Sequence, residues 1–137
     1  MTLPLKTVSA QTQGAEMTDD EEVRIALPWP PSTNALYVAI AGHKRVRSKE
    51  YDAWRREAGW TLQAQRPRKF TGPVAIRIEL CPPHTRRFDL DNRTKSTLDL
   101  LTAHNVIRDD HSGFVRSLEI TRVDNAAPCT VILRAVA

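Results

Sequence analysis

The stretch VAIRIELCPPHTRRFDLDNRTKSTLDLL, residues 74–101, changes its apolar periodicity halfway along, and that change decides the fold. Val74, Ile76, Ile78 and Leu80 alternate with Ala75, Arg77 and Glu79, the period of a strand with one face turned to a core. From about Asp91 to His104 the pattern becomes helical, with Leu98 and Leu101 on an apolar stripe and Leu100 falling away from it. A strand followed by a helix begins a mixed α/β order.

Working outward, the elements continue on both sides. Ser48 reads as the N-cap of a helix running to about Gln65, with Tyr51, Trp54, Ala58 and Leu62 on one face as core residues. Before it, ALYVAI and KRVR flank Gly42 and His43 and predict a hairpin with basic residues on its second arm. VRIALPW predicts a strand that Pro28, Pro30 and Pro31 stop, leading through PPSTN into a fixed turn. After the central helix come a short extended VIR, a strand around FVRSLEITRV and a final strand TVILRAV. The expected fold class is α/β (α+β): a single compact domain with a mixed β-sheet and two main helices. Residues 1–22, polar and ending in Asp19, Asp20, Glu21 and Glu22, predict a flexible tail, and residues 23–137 the folded domain.

Composition bounds the function. A chain of 137 residues with 41% hydrophobic and 26% charged residues supports one core. The net charge of +4 leans toward an anionic partner. Cys81 and Cys129 stand too far apart, with no further cysteines, to make a disulfide framework, so two buried thiols in a reducing cytoplasm are expected. No apolar run approaches the roughly 20 residues that span a bilayer. CPPH, Cys81 to His84, has half the spacing of a zinc site and lacks the other half.

Acid is concentrated where a basic protein has least reason to place it. In an extended segment Asp89 and Asp91 share a face while Leu90 points the other way, where it can anchor the turn in the core. Two carboxylates side by side repel unless a proton or cation neutralises them, and hard oxygen donors suit Mg²⁺ or Mn²⁺. VIRDDHS adds Asp109 and Asp110 at the end of an apolar stretch. At about 100° per residue Asp91, Lys95 and Asp99 advance by about 40° each and form one polar stripe. Structural readings stand beside these: Asp91 and Asn92 as helix caps, adjacent aspartates as solvated loop residues, and Lys95 with Asp99 as a surface ion pair.

The ordered set LPWPPSTN, FDLDNRTKSTLDLL and IRDD resembles the RusA family of Holliday-junction resolvases over roughly residues 23–136. The resemblance implies a RusA-like homodimer that cuts DNA four-way junctions with Mg²⁺, making paired nicks in strands of like polarity, in bacterial or prophage recombination and repair. It implies catalytic roles for Asp89, Asp91, Asp110 and Lys95, with Asp109 a further acidic neighbour at the metal. Lys44, Arg45, Arg47, Arg86 and Arg87 are expected DNA contacts, with Arg66, Arg68 and Lys69 as further candidates. Trp29, Phe88 and Trp60 are candidates for stacking at the junction, with burial favoured for Trp29. Two departures stand out: only Arg86 and Arg87 precede the acids, where better-known members carry a longer arginine run, and Gly113 replaces a more typical apolar residue. The implied setting is the bacterial cytoplasm, at the nucleoid. Other readings consistent with the same residues are a branched-DNA-binding protein without catalysis and a Mg²⁺ nuclease of other branched DNA.

Overall fold

In the computed structural model, which describes residues 21–42 and 44–137, the central strand is β4 (Val74–Leu80). It lies inside a four-stranded sheet with β1 (Val23–Leu27), β5 (Val115–Arg122) and β6 (Cys129–Ala135), in the order β1-β6-β4-β5. β4 and β5 are parallel, with Ile78 opposite Ile120, whereas β6 runs antiparallel to both β4 and β1. A parallel pair needs a crossover. Helix α2 (Thr94–Ala103) supplies it between β4 and β5.

The alternation in β4 sets the core. Val74, Ile76, Ile78 and Leu80 are buried together with Ile25, Leu27, Val131 and Leu133 from the neighbouring strands. Helix α1 (Lys49–Gln65) closes over them with Tyr51, Trp54, Ala58 and Leu62, as its sequence pattern predicts. Its start is fixed by Ser48, whose hydroxyl accepts from the Tyr51 N–H at 3.0 Å and donates to the Ala35 carbonyl at 2.6 Å. Arg66, left-handed at φ 48°, ends it. Strands β2 (Tyr37–Ile40) and β3 (Lys44–Arg47) form the predicted hairpin as a separate two-stranded sheet. The result is one compact domain with a mixed sheet and two main helices. The expectations for residues 1–20 and for His43 lie outside the described residues.

Four expectations need correction. The α-helical hydrogen bonding begins at Thr94, and Leu90–Arg93 is a 3₁₀ turn. Asp91 therefore follows a tighter winding of about three residues per turn, and neither the shared face with Asp89 nor the 40° stripe with Lys95 applies to it. Leu90 is 39% exposed and anchors nothing. Leu100 is buried and Leu98 only partly so, because the inner face of α2 is Thr97, Leu100 and Leu101 with Ser96 beside them. The Ser96 and Thr97 hydroxyls satisfy themselves on the Pro31 and Arg93 carbonyls, which lets two polar residues enter the core.

VIR is not an extended segment either. Asn105 is left-handed at φ 61°, and the Asn105 and Val106 N–H groups donate to the carbonyls of Thr102 and Leu101. This is a Schellman closure, in which an apolar residue beyond the cap packs back on the last turn. Val106 and Ile107 are accordingly buried. Cys129 is buried as expected, while Cys81 is only partly covered.

Candidate active site

The acids stand where β4 hands over to α2. Asp89 occupies the cap position of the 3₁₀ turn with extended backbone, φ −85° and ψ 128°, and its side chain makes no capping bond. Its backbone carbonyl instead accepts from the Asn92 N–H at 3.1 Å. Asp89 lines a shallow depression with Ser32, Arg87, Phe88, Asn92 and Arg93. Asp91 sits one step into the turn and is exposed. Asp110 is exposed as well, in the loop between α2 and β5. Among the described residues no hydrogen bond or ion pair engages the carboxylates of Asp89, Asp91 or Asp110.

Asp109 is differently placed. Its carboxylate accepts from the Asp110 N–H at 2.7 Å and lies 3.8 Å from His111 Nε2. His111 Nδ1 in turn accepts from the Gly113 N–H at 3.0 Å, and the His111 carbonyl receives the Phe114 and Val115 N–H groups. The turn is thus built around Asp109 and His111, and Asp110 projects from it. A Cβ at 113 would stand 2.8 Å from the exposed His111 ring, so a larger residue there would have to displace that ring from the Gly113 N–H it accepts.

Lys95, on the first turn of α2, carries the site's ammonium. Its Nζ lies 3.4 Å from Asp99 Oδ2. The Asp99 carboxylate holds the Lys95 pKa above its ordinary value; desolvation opposes this weakly, and Tyr37 and Asp110 add smaller favourable fields.

Three hydrogen bonds latch the proline-rich loop to this region. Arg93 Nη1 donates to the Pro30 carbonyl at 2.8 Å, Ser96 Oγ to that of Pro31 at 3.2 Å, and Thr33 Oγ1 to that of Asn92 at 3.1 Å. Trp29 completes the latch: the Arg93 guanidinium lies 5.1 Å from its ring centroid, and the Phe88 and His84 rings meet it edge-on at 5.2 and 5.7 Å. Partial burial lowers the Arg93 pKa, with Glu50 opposing. Sequence reasoning overlooked Arg93. A signal for it lies in the proline run, which cannot pair as a strand and leaves the Pro30 and Pro31 carbonyls to be met by side chains.

The expected DNA contacts divide in two. Lys44, Arg45 and Arg47 lie on β3, with Arg45 over the Tyr37 ring at 5.4 Å and Arg47 paired with Asp52 at 2.7 Å. Arg86 and Arg87 are exposed beside the acids, and Arg87 shares the depression with Asp89. Of the aromatics, Trp29 and Phe88 are partly buried against each other, whereas Trp60 is 68% exposed.

Whether this set can hold a divalent cation depends on the donors. Among the described residues no three His, Cys, Asp or Glu side chains stand close enough to cage an ion among themselves. Mg²⁺ does not need a protein cage: it keeps several waters and binds through one or two carboxylates together with substrate phosphates. Exposed, unengaged carboxylates beside arginines fit that mode. Among the described residues Cys81 and His84 have no partners for a zinc site.

Comparison with known proteins bears on the same segment. A family model described as endodeoxyribonuclease RusA matches residues 28–133. A protein of Escherichia coli (strain K12) named crossover junction endodeoxyribonuclease RusA is 40% identical over 87 residues, covering 63% of this chain and 72% of its own length. Proteins of the same name from Enterobacteria phage 82 and Shigella sonnei (strain Ss046) are 38% and 39% identical over the same shares.

Proposed function

The chain belongs to the RusA family of endodeoxyribonucleases, and from that premise we propose that it resolves DNA four-way junctions by paired, symmetric, Mg²⁺-dependent phosphodiester hydrolysis. The observation that carries the reading is the pair of exposed, unengaged carboxylates on Asp89 and Asp91, set immediately before the helical turn that presents Lys95.

One or two of the carboxylates of Asp89, Asp91 and Asp110 would hold the cation together with substrate phosphates, with Mn²⁺ as a substitute, and Asp109 would act on it mainly by shaping the turn that presents Asp110. When bound, the ion supplies a Lewis acid that screens the phosphate and activates water. The chain's own contribution is positional. Lys95, whose ammonium the Asp99 carboxylate further favours, meets the charge that develops on the scissile phosphate. Arg86 and Arg87 fix the backbone beside the acids, and Lys44, Arg45 and Arg47 contact phosphates farther along the strand. The latch through Arg93 and Ser96 keeps the helix start, and so Lys95, in a constant position relative to the loop.

A four-way junction offers two equivalent scissile positions, and a two-fold dimer presents two copies of one site in matching geometry. We therefore read the active form as a homodimer acting on branched DNA in bacterial or phage recombination and repair, at the nucleoid of the cytoplasm. Among the described residues no helix is long and apolar enough to cross a membrane.

The test is nicking of a synthetic mobile four-way junction with and without Mg²⁺, comparing the wild type with Asp89→Asn and Lys95→Ala, and with linear duplex as control. Symmetric, metal-dependent cuts that both variants lose support the reading. Tight junction binding with no cleavage in either Mg²⁺ or Mn²⁺ would make this a junction-binding protein, and equal cutting of flaps and junctions would make it a general branched-DNA nuclease.

A further inference from the structure

The three cations that follow α1 do not do the same work. The Arg68 guanidinium lies over the Phe70 ring at 4.5 Å with its Nη1 buried, so it packs against the fold. Arg66 and Lys69 are exposed. They rim a recess of about 310 Å³ whose other polar groups are Gln63 and His104 and which Leu62 and Val106 back. Among the described residues no carboxylate lines it, and residues 58–78 contain no acid at all.

Arg66 is poorly suited to its place as backbone. It ends α1 in the left-handed conformation, φ 48° and ψ 57°, where glycine and then asparagine are favoured because other side chains crowd the following carbonyl. Helix α2 closes in the same hand with Asn105. What closes α1 is the Arg66 N–H, which donates to the Gln63 carbonyl at 3.1 Å, a bond that any residue except proline can make. The carbonyl end of a helix does favour a cation, but one at any nearby position serves it. An unfavourable backbone kept for one side chain points to work for that side chain.

His104 faces the same recess. Gly59 makes room for its ring, since a Cβ there would stand 3.0 Å from His104 Nε2, and the Gln63 amide lies 3.3 Å from Nδ1. Burial lowers the His104 pKa, and the Arg55 and Lys69 cations lower it further. The ring is therefore neutral at neutral pH and sits in a positive field. An anion in the recess relieves that field.

We propose that the recess between the ends of α1 and α2 is a phosphate-binding site apart from the acids, in which Arg66 and Lys69 hold a backbone phosphate of bound DNA beside His104. The proposal rests on the reading of the chain as a DNA-cutting enzyme and adds a contact to it. Free phosphate offers the same chemistry; a DNA strand is favoured because the chain belongs to a family of endodeoxyribonucleases. A second copy of the recess would bring cations against cations.

The experiment uses the full chain in EDTA, where binding is read without metal-dependent cutting. Anisotropy over a salt series follows binding to a four-way junction and to linear duplex, and NMR titrates His104 between about pH 5 and pH 8, alone, with duplex and with inorganic phosphate. Arg66→Asn removes the guanidinium and suits the left-handed backbone better. It is expected to keep or raise Tm while reducing the magnitude of the salt slope on duplex by about 0.9, as Lys69→Gln does. Lys69→Gln should also raise the His104 pKa of the free protein. Bound duplex should raise it in the wild type and leave it unmoved in the double variant. A salt slope unchanged in both variants overturns the proposal, as does a His104 titration indifferent to DNA. A lower Tm for Arg66→Asn with the slope intact would confine Arg66 to ending the helix. A His104 response to inorganic phosphate without one to duplex would make the recess a free-phosphate site, and weaker binding together with a changed assembly state by light scattering would give it to a second copy; either result overturns the DNA contact. Failure of the wild type to bind either DNA would overturn the function reading instead.

Discussion

Arg93 shows how much one side chain carries here. Its guanidinium bonds the Pro30 carbonyl and covers the Trp29 ring, so it joins the loop after β1 to the turn that bears Asp91. Replacing it by alanine leaves a buried carbonyl without a donor and the ring without its cation, at a cost of about 1–3 kcal/mol in unfolding free energy by denaturant titration. Lysine should recover little of this, because a compact ammonium does not reproduce a planar fork lying over an indole. Junction cleavage should fall in parallel for both variants, as Lys95 loses its fixed position. Cys129 gives the pH dependence. Burial, slightly opposed by a Thr97 hydrogen bond, pushes its thiol from 9.0 up to about 12. Between those values the unfolded chain releases a proton that the folded chain keeps, so stability is full below pH 9 and falls as pH rises toward 12, by up to about 1.4 kcal/mol per pH unit. Tyr51, raised chiefly by burial, acts in the same direction. The expected measurement is a steep decline of Tm above pH 9 that Cys129→Ala makes shallower; equal slopes in both proteins would remove Cys129 as its source.

At the scale of elements, the regular pieces were legible and the transitions were not. The five-position alternation of VRIAL, the longer one in β4 and the Ser48 cap with its four-residue aromatic stripe each repeat one rule several times, so a single periodicity identifies them. The entrance to α2 obeys two rules in four residues. A 3₁₀ turn there shifts the phase of the wheel, and Ser96 and Thr97, polar in composition but bonded to nearby carbonyls, take core positions that an apolar count assigns elsewhere. The candidate acids were legible because their residue types are chemically unusual in a basic protein; the latch that positions them was not, because it joins residues about sixty positions apart. Packing between the helices leads to a test of the same kind. Gly59 lies inside α1, where alanine normally gains about 1 kcal/mol. Here its Cβ would stand 3.0 Å from His104 Nε2, at the end of α2, and His104 is itself held by Gln63 at 3.3 Å. Gly59→Ala is therefore expected to be neutral or destabilising in the wild type and stabilising by about 0.5–1 kcal/mol in a His104→Ala background. Simple additivity in this cycle would mean that the two helices have room to spare.

Over the whole molecule the charge is divided rather than spread. Residues 1–22 hold one lysine and five acids, so the remaining chain carries +8 where the full protein carries +4. Most of that excess must face solvent, and the hairpin, where Arg47 alone is paired with Asp52, and the approach to Asp89 are where exposed cations gather. Affinity and catalysis therefore make opposite demands on one surface: phosphates are drawn by Lys44, Arg86 and Arg87 and repelled by Asp89 and Asp91 until a cation arrives. Salt separates the two demands. Each phosphate contact contributes a slope of about −0.9 to log affinity against log salt on duplex DNA. Lys44→Gln, Arg86→Gln and Arg87→Gln combined should reduce the slope's magnitude by about 2.7, whereas Asp89→Asn with Asp91→Asn should strengthen binding at low salt in the absence of metal and abolish cutting in its presence. Fluorescence anisotropy over a salt series measures both. A slope unchanged by the three cation replacements would mean that the arginines before the acids do not touch the backbone, and the shorter run found here would then have no bearing on how tightly the junction is held.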